Sequence, residues 1–206
     1  MGSCMSACFK SKEDRNKDVE LSSTTNVAVT CRRGPTGKDV KTSIDNATNY
    51  ISIEGKGTAL GSCPLDCDTA FWEVRVGNNP NGVLVGVKRY NVKKPTSLDG
   101  TLDATRTEGD NDSESWYFKV ENQELKTGDV VGVYWDQTDL PMLSFSLNGK
   151  DVPSASFLRI RPTIDILPAV SVREGGSCEM IFDGDHFLFP PKSSKFKMII
   201  CATSLI

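Results

Sequence analysis

The sequence predicts an all-β fold, an antiparallel sandwich, from a hairpin signature, many short strand-like segments and turn residues in nearly every gap. The clearest signature lies in residues 128–150. There a β-branched and aromatic run, VVGVYW, precedes the alternation LSFSL, which has the period of two of a strand with one buried face. Asn148-Gly149 follows and favours a two-residue type I′ turn, because both positions of that turn need positive φ.

The other strands are predicted from apolar, β-branched and aromatic runs of strand length. In chain order, the predicted strands are residues 27–31, 50–53, 71–76, 83–89, 116–120, 129–135, 143–147, part of 163–172, 178–182 and 196–201. Glycine, proline, asparagine and aspartate separate them, as in GNNPNG at 77–82. No long helical period intervenes, so the pattern favours a sandwich over βαβ units.

Composition and charge limit the classes of function. The chain has 206 residues, 38% hydrophobic and 25% charged, which suits one domain plus a tail. Its net charge of −3 disfavours nucleic-acid binding, because no global positive field is available. No apolar run approaches the ~20 residues that span a bilayer, and no secretory signal is evident. We therefore expect an intracellular protein.

Cysteine and histidine usage predicts no metal site and no cofactor. The seven cysteines stand at positions 4, 8, 31, 63, 67, 178 and 201. In a reducing cytosol they are expected to be free thiols. Cys63 and Cys67 are spaced more widely than a zinc knuckle, and the only histidine, His186, is distant in sequence. His186 lies among aromatic residues and is interpreted as structural or surface, so no catalytic residue and no enzyme activity are expected.

The first residues predict a lipid anchor. The start MGSCMS fits the pattern for N-myristoylation of Gly2 after removal of the initiator methionine. Cys4 and Cys8 offer the second acyl site that stable anchoring needs, and Lys10 and Lys12 favour an anionic leaflet. The alternative is an accidental match to a loose pattern. We expect residues 1–12 to be the acylated anchor, 13–26 a flexible linker and 27–206 the sandwich, with its core at about 50–190.

Six blocks of the sequence then follow one another in a distinctive order. They are FWEVRV (71–76), VGV (85–87), SWY (115–117), GDVVGVYWD through LNGK (128–150), LPAVS (167–171) and CEMIF (178–182). In order and spacing they resemble a SPRY (B30.2-like) domain of the small stand-alone type, over about residues 50–190. The resemblance implies a bent antiparallel two-sheet β-sandwich, a concanavalin-like jelly roll, which recognises protein segments through loops on one rim.

The resemblance also implies which residues contact a partner. In SPRY adaptors that bind short peptides, the contacts come from four loops of the rim. Carried over by motif, these loops present Glu54 and Lys56; Asn79 and Asn81; Arg106 and Thr107; and Arg173, Glu174 and Gly175. Gly175 replaces a tryptophan of the peptide-binding adaptors, and polar residues near Arg106 replace an aromatic position. This composition predicts a charged protein partner instead of an asparagine-rich one.

Two functions of different classes follow from the sequence. The first is a monomeric protein-binding adaptor, lipid-anchored to the cytoplasmic face of a membrane. The alternative is a sandwich that binds carbohydrate or another small ligand. Lectin sites use an exposed aromatic platform, whereas Trp72, Trp116 and Trp135 all fall in predicted core strands. The sequence therefore favours the adaptor.

Overall fold

The computed structural model describes residues 29–101, 115–120, 124–160 and 165–201. Its strands are β1 Val29–Thr30, β2 Arg33–Thr36, β3 Asp39–Ile44, β4 Ile51–Gly61, β5 Thr69–Val76, β6 Val83–Arg89, β7 Ser115–Tyr117, β8 Val130–Asp136, β9 Met142–Leu147, β10 Lys150–Asp151, β11 Phe157–Leu158, β12 Ile166–Ile181 and β13 Ile200–Cys201. Three short 3₁₀ helices, Pro80–Gly82, Pro153–Ala155 and Gly184–His186, are the only helices within the described residues.

Strand β12 connects the two layers of the sandwich. Along one edge it pairs first with β6 and then with β5, while its other edge pairs with β4. β6 continues to β7, and β5 continues to β8, β9 and the short β10 and β11. Every ladder between these strands is antiparallel, which confirms the predicted all-β antiparallel sandwich.

The core between the layers is filled by aromatic and branched side chains. Trp72, Trp135 and Phe145 are buried there with Ile53 and Met180. Trp116 packs against this core while remaining partly exposed. The placement follows from the alternation of strand residues, because each inward-facing position of β5, β8 and β9 meets the opposite layer.

The Asn148-Gly149 turn forms as predicted, with positive φ at both residues, 49° and 74°. It joins β9 to the short β10, whereas residues 137–141 join β8 to β9. The Asn148 side chain also accepts a hydrogen bond from the Val130 backbone N–H at 2.9 Å. The turn residue therefore helps to fix β9 against β8.

Strands β2 and β3 were not among the sequence-based predictions. Their sequences, RGPT and DVKTSI, are largely polar, and both lie along the outer edge of β4. An edge strand buries few side chains, so it leaves little apolar pattern in the sequence. Residues 166–172 and 178–181, which belong to two predicted strands, lie in the single strand β12.

A buried carboxylate anchors the segment that follows β12. Glu73 of β5 is fully buried and accepts hydrogen bonds from the backbone N–H groups of Leu188 and Phe189, at 2.6 and 2.7 Å. Burial raises the pKa of Glu73, and the two amide donors oppose that shift without cancelling it. The carboxylate thus fixes residues 188–189 against the sheet.

The prediction of free thiols is wrong for two cysteines. Cys63 and Cys201 form a disulfide, with their Cα atoms 5.4 Å apart. Cys31, Cys67 and Cys178 are free. The fold brings β13 back to the end of β4, and this contact over 138 positions of sequence is invisible to local spacing. Within the described part of the chain, no helix is both long and apolar enough to cross a membrane.

Gly86 tests the packing of β6 against β7. A Cβ atom at this position would overlap the carbonyl oxygen of Trp116, so Gly86→Ala should force the two strands apart. We expect a loss of about 1–3 kcal/mol in the free energy of unfolding, measured by urea denaturation. Gly100→Ala is the control, because no atom lies within 4 Å of its added Cβ. Equal unfolding midpoints for the two variants would contradict this packing.

Candidate functional site

An irregularity in β12 creates an exposed bulge on the surface of the sandwich. Val172 pairs with Gly57 of β4, and Gly176 pairs with Gly55, so three residues of β12 lie opposite Lys56 alone. Residues 173–175 bulge outward and are exposed, and β12 has two more residues here than β4. Gly175 has a φ of 77°, a conformation that glycine adopts without steric cost. The bulge therefore places Arg173 and Glu174 beside Lys56.

The loop at residues 77–82 is tied to this bulge by hydrogen bonds. Gly77 N–H donates to the carbonyl oxygen of Ser177 at 2.8 Å, and Ser177 N–H donates to that of Asn78 at 3.0 Å. The Asn78 N–H donates to Ser177 Oγ at 2.8 Å, and Asn79 Nδ2 donates to the carbonyl oxygen of Glu174 at 3.1 Å. The two loops therefore form one rigid unit.

The segment that precedes β8 also contacts the loop at residues 77–82. Asn81 Nδ2 lies 3.4 Å from Glu124 Oε2, and Thr127 Oγ1 donates to the carbonyl oxygen of Gly77 at 3.0 Å. Glu124 and Thr127 were not predicted as site residues. They come close only because β5 and β8 are neighbours, so no local sequence pattern marked them.

We use the term rim for the exposed side chains that these segments present together. The rim consists of Glu54, Lys56, Asn79, Asn81, Glu124, Arg173 and Glu174. Two of its side chains are cationic and three are anionic, and no salt bridge joins any two of them in the described structure. The rim thus carries unpaired charges of both signs on a rigid support.

A cleft of about 640 Å³ adjoins the rim on the outer face of β3, β4, β12 and β5. Arg75 and Glu179 form an ion pair in its floor, with Arg75 Nε 2.6 Å from Glu179 Oε2. The guanidinium also lies 5.6 Å from the ring centroid of Tyr50. The rest of the lining is mixed, with hydroxyl groups, Lys41 and Glu54 beside the apolar Ile53 and Val76. The cleft shares Glu54 with the rim.

Cys178 lines the cleft, and His186 lies on the short helix that follows β12. Burial raises the pKa of Cys178 to about 12, so this thiol stays protonated near neutral pH. His186 Nδ1 lies 3.3 Å from Asp183 Oδ2, and the His186 carbonyl oxygen accepts a hydrogen bond from Tyr50. No serine or cysteine side chain of the described residues hydrogen-bonds to the imidazole.

Six of the predicted partner-binding residues meet on the rim. These are Glu54, Lys56, Asn79, Asn81, Arg173 and Glu174. Arg106 and Thr107 lie outside the described residues, as do the predicted lipidation sites Gly2, Cys4 and Cys8. Among the residues with described positions, no cluster of three or more histidine, cysteine or acidic side chains could bind a metal.

The model of the SPRY domain family matches residues 69–185, more than half of the chain. This chain belongs to the SPRY domain family. SPRY domains are generally protein-interaction modules and not enzymes. The matched region includes Asn79, Asn81, Arg173 and Glu174, whereas Glu54 and Lys56 precede it on β4. No curated protein matches the chain in a sequence search.

Solved structures share the fold of this SPRY domain. The crystal structure of the TRIM65 PSpry domain superposes with a TM-score of 0.52 at 15% identity, covering 75% of this chain and 90% of that chain. The NEUZ (NHR) domain in Neuralized from Drosophila melanogaster gives a TM-score of 0.50 at 14% identity, covering 74% and 92%. The SPRY domain of human HERC1 gives 0.44 at 16% identity, covering 72% and 97%.

Asn79 is expected to fix the geometry of the rim. Asn79→Ala removes the hydrogen bond to Glu174 and leaves alanine in a left-handed conformation, with φ of 45°. We expect the variant to lose about 1–2 kcal/mol of stability and to show faster amide exchange at residues 174–177. Asn78→Ala is the control, because Asn78 contributes only its backbone to this network. Indistinguishable exchange in the two variants would rule out this role.

Proposed function

We propose that this protein is a non-enzymatic SPRY adaptor whose rim binds a segment of a partner protein. The observation that supports this function best is the hydrogen-bonded connection between the β12 bulge and the loop at 77–82. It presents unpaired charged side chains on backbone that is already ordered. Binding then costs little additional loop entropy, which is the physical advantage of a preorganised surface.

The charges of the rim favour a partner segment that itself carries both signs. Lys56 and Arg173 can pair with carboxylates, while Glu54, Glu124 and Glu174 can pair with basic side chains. Gly175 adds no aromatic anchor, and a Cβ there would have no atom within 4 Å. We infer that recognition depends on complementary charge and hydrogen bonds, and that Arg106 and Thr107 extend the same surface.

We further propose that the protein is monomeric and lipid-anchored to the cytoplasmic face of a membrane. The MGSCMS start supports myristoylation of Gly2, and Cys4 and Cys8 are the proposed palmitoylation sites. A single myristoyl chain gives only marginal attachment, so the second acyl group provides stable binding. The anchor then determines where the protein is located, and the rim determines which partner it binds.

The cleft supports one alternative, a site for carbohydrate or another small polar ligand. Its hydroxyl groups and its Arg75–Glu179 pair could hydrogen-bond to such a ligand. However, Trp72 and Trp135 are fully buried and provide no stacking surface. Specific hits on a glycan array, lost on Arg75→Ala, would favour this alternative over the adaptor.

A charge-matched pair of variants tests the rim. We expect Lys56→Ala/Arg173→Ala to recover its protein partners at least about tenfold less than wild type in quantitative proximity labelling, because two cationic contacts are lost. Lys93→Ala/Lys94→Ala removes the same charge from exposed positions beyond the opposite end of β6. The control should retain the wild-type partner set. Equal partner sets for both double variants would refute the proposed rim.

The anchor is tested by localisation together with mass spectrometry of the N-terminal peptide. We expect myristate on Gly2 in the native protein, and we expect Gly2→Ala and Cys4→Ser to move the protein from membranes to the cytosol. Cys67→Ser serves as a cysteine control within the sandwich and should stay on membranes. An unmodified or acetylated N-terminus, or membrane retention of both anchor variants, would disprove the anchor.

A further inference from the structure

Three sulfur atoms surround one hydroxyl group where the end of β4 meets the end of β13. Ser62 Oγ lies 3.7 Å from Cys63 Sγ, 3.9 Å from Cys201 Sγ and 4.0 Å from Cys31 Sγ. Cys63 and Cys201 are bonded to each other, whereas Cys31 is free. The Cα atoms of Cys63 and Cys201 are 5.4 Å apart, which lies in the normal range for a disulfide, so the bond requires no movement of the backbone.

The disulfide holds a small, separate sheet, which we call the terminal ribbon. The ribbon consists of β1 and β13, whose ladder, within the described residues, joins Val29 with Cys201 and Thr30 with Ile200. A two-stranded ribbon on its own is at best marginally stable in water. At β1 the ribbon is linked to the end of β4 by Ser62 N–H, which donates to the Arg32 carbonyl oxygen at 2.8 Å, and by Arg32 N–H, which donates to Ser62 Oγ.

On the β13 side, four features hold the chain to the main sheet: Ile199 in the core, the bridge between Met198 and Phe71 of β5, the hydrogen bond from the Phe71 N–H to the Lys197 carbonyl oxygen, and the disulfide. Ile199 packs into the core, whereas its neighbours Met198 and Ile200 are 38% and 47% exposed. The Ile199 carbonyl oxygen accepts the Cys31 N–H within the ribbon itself. The bond from Cys201 to Cys63 is therefore the only covalent cross-link between the ribbon and the main sheet within the described chain.

We propose that the Cys63–Cys201 bond is a reversible redox lock on the terminal ribbon, formed by a hydroperoxide and opened by a dithiol reductant. When the bond is formed, β13 is fixed to β4, and β1 is fixed through its ladder with β13. When the bond is open, the ribbon relies on the buried side chains of Cys31 and Ile199 beside it, on the bridge from Met198 to Phe71 and on backbone hydrogen bonds. The redox state then controls how firmly residue 29, the point where the N-terminal segment joins, is attached to the sandwich.

The closing reaction balances with hydrogen peroxide as the oxidant. Cys201 is the more exposed of the pair, so its sulfur attacks one peroxide oxygen, the O–O bond breaks, and Cys201 sulfenic acid and one water form. Cys63 sulfur then attacks the sulfenic sulfur, the S–O bond breaks, and a second water leaves with the remaining proton. Two thiols lose two electrons, and the peroxide gains them.

Opening is assisted by Ser62. A dithiol attacks the disulfide through its thiolate, and the released protein sulfur carries negative charge until it takes up a proton. Ser62 Oγ lies within hydrogen-bonding distance of both sulfurs, so its hydroxyl can donate to whichever one leaves. This hydroxyl stabilises the released thiolate on either side of the bond.

The other described cysteines are poorly suited to the first step, the attack on the peroxide. Cys178 is buried in the core, and Cys31 is also buried, which raises its pKa despite nearby hydrogen-bond donors. Burial likewise raises the pKa of Cys67, with a smaller contribution from Asp66 and Asp68. In a reducing compartment, disulfides are usually transient or redox-sensing. A reducing compartment is part of the proposed function, which places the protein on the cytoplasmic face of a membrane, whereas the geometry of the lock is independent of that location.

The lock is tested on the purified full-length chain. The protein is reduced with dithiothreitol, freed of reductant and treated with hydrogen peroxide, and peptide mass spectrometry identifies the bonded cysteines. Amide exchange is followed at residues 29–31 and 198–201 in both states. We expect Cys63 to pair with Cys201, dithiothreitol to reverse the bond, and ribbon amides to exchange at least about tenfold faster in the reduced form, with β5 and β8 unchanged.

Three variants make the outcome decisive. Cys201→Ser should exchange like the reduced protein with or without peroxide, while Cys67→Ser should behave like wild type. Ser62→Ala should slow reduction of the bond. Unchanged ribbon exchange on reduction, pairing of other cysteines, or a bond that persists in excess dithiothreitol would overturn the lock. Partner recovery by the rim is measured separately, so failure of the lock is distinguishable from failure of the adaptor function.

Discussion

Strand β12 must satisfy its backbone hydrogen bonds along both edges over 16 residues, and the rest of the sandwich is arranged around that requirement. β4 occupies one edge, while β6 and β5 share the other. The bulge at 173–175 lies between the stretches that pair with β6 and β5. One irregularity thus allows β12 to serve two layers and also displaces Arg173 and Glu174 to the surface. The passage of β12 from one layer to the other and the rim therefore have the same physical origin.

The fold was predictable because its strongest signals are local. Asn148-Gly149 needs only two neighbouring residues to specify a turn, and the alternation at 143–147 specifies which strand face is buried. The order of these signals matched the SPRY pattern, and the pairing of β5, β8 and β9 follows that order. By contrast, REGG at 173–176 has the composition of a turn, so β12 was interpreted as two strands with a loop between them.

The candidate site was only partly predictable, because its members come from distant parts of the chain. Family motifs placed Asn79 and Glu174 on neighbouring loops, but the hydrogen bond between them depends on the exact course of the β12 bulge. Glu124 joined the rim through its proximity to Asn81, which no motif marks. The disulfide was missed for the same reason, since contacts that close long loops have no local signature.

The pairing of Val29 with Cys201 has a mechanical consequence. A load applied between these two residues acts across the ribbon, where the pairs of an antiparallel ladder open one at a time. With the disulfide formed, a load on Cys201 is transmitted through Cys63 to the end of β4. This path does not include the β5–β8–β9 layer. Tension between these two residues therefore opens the ribbon before it loads the β5–β8–β9 layer.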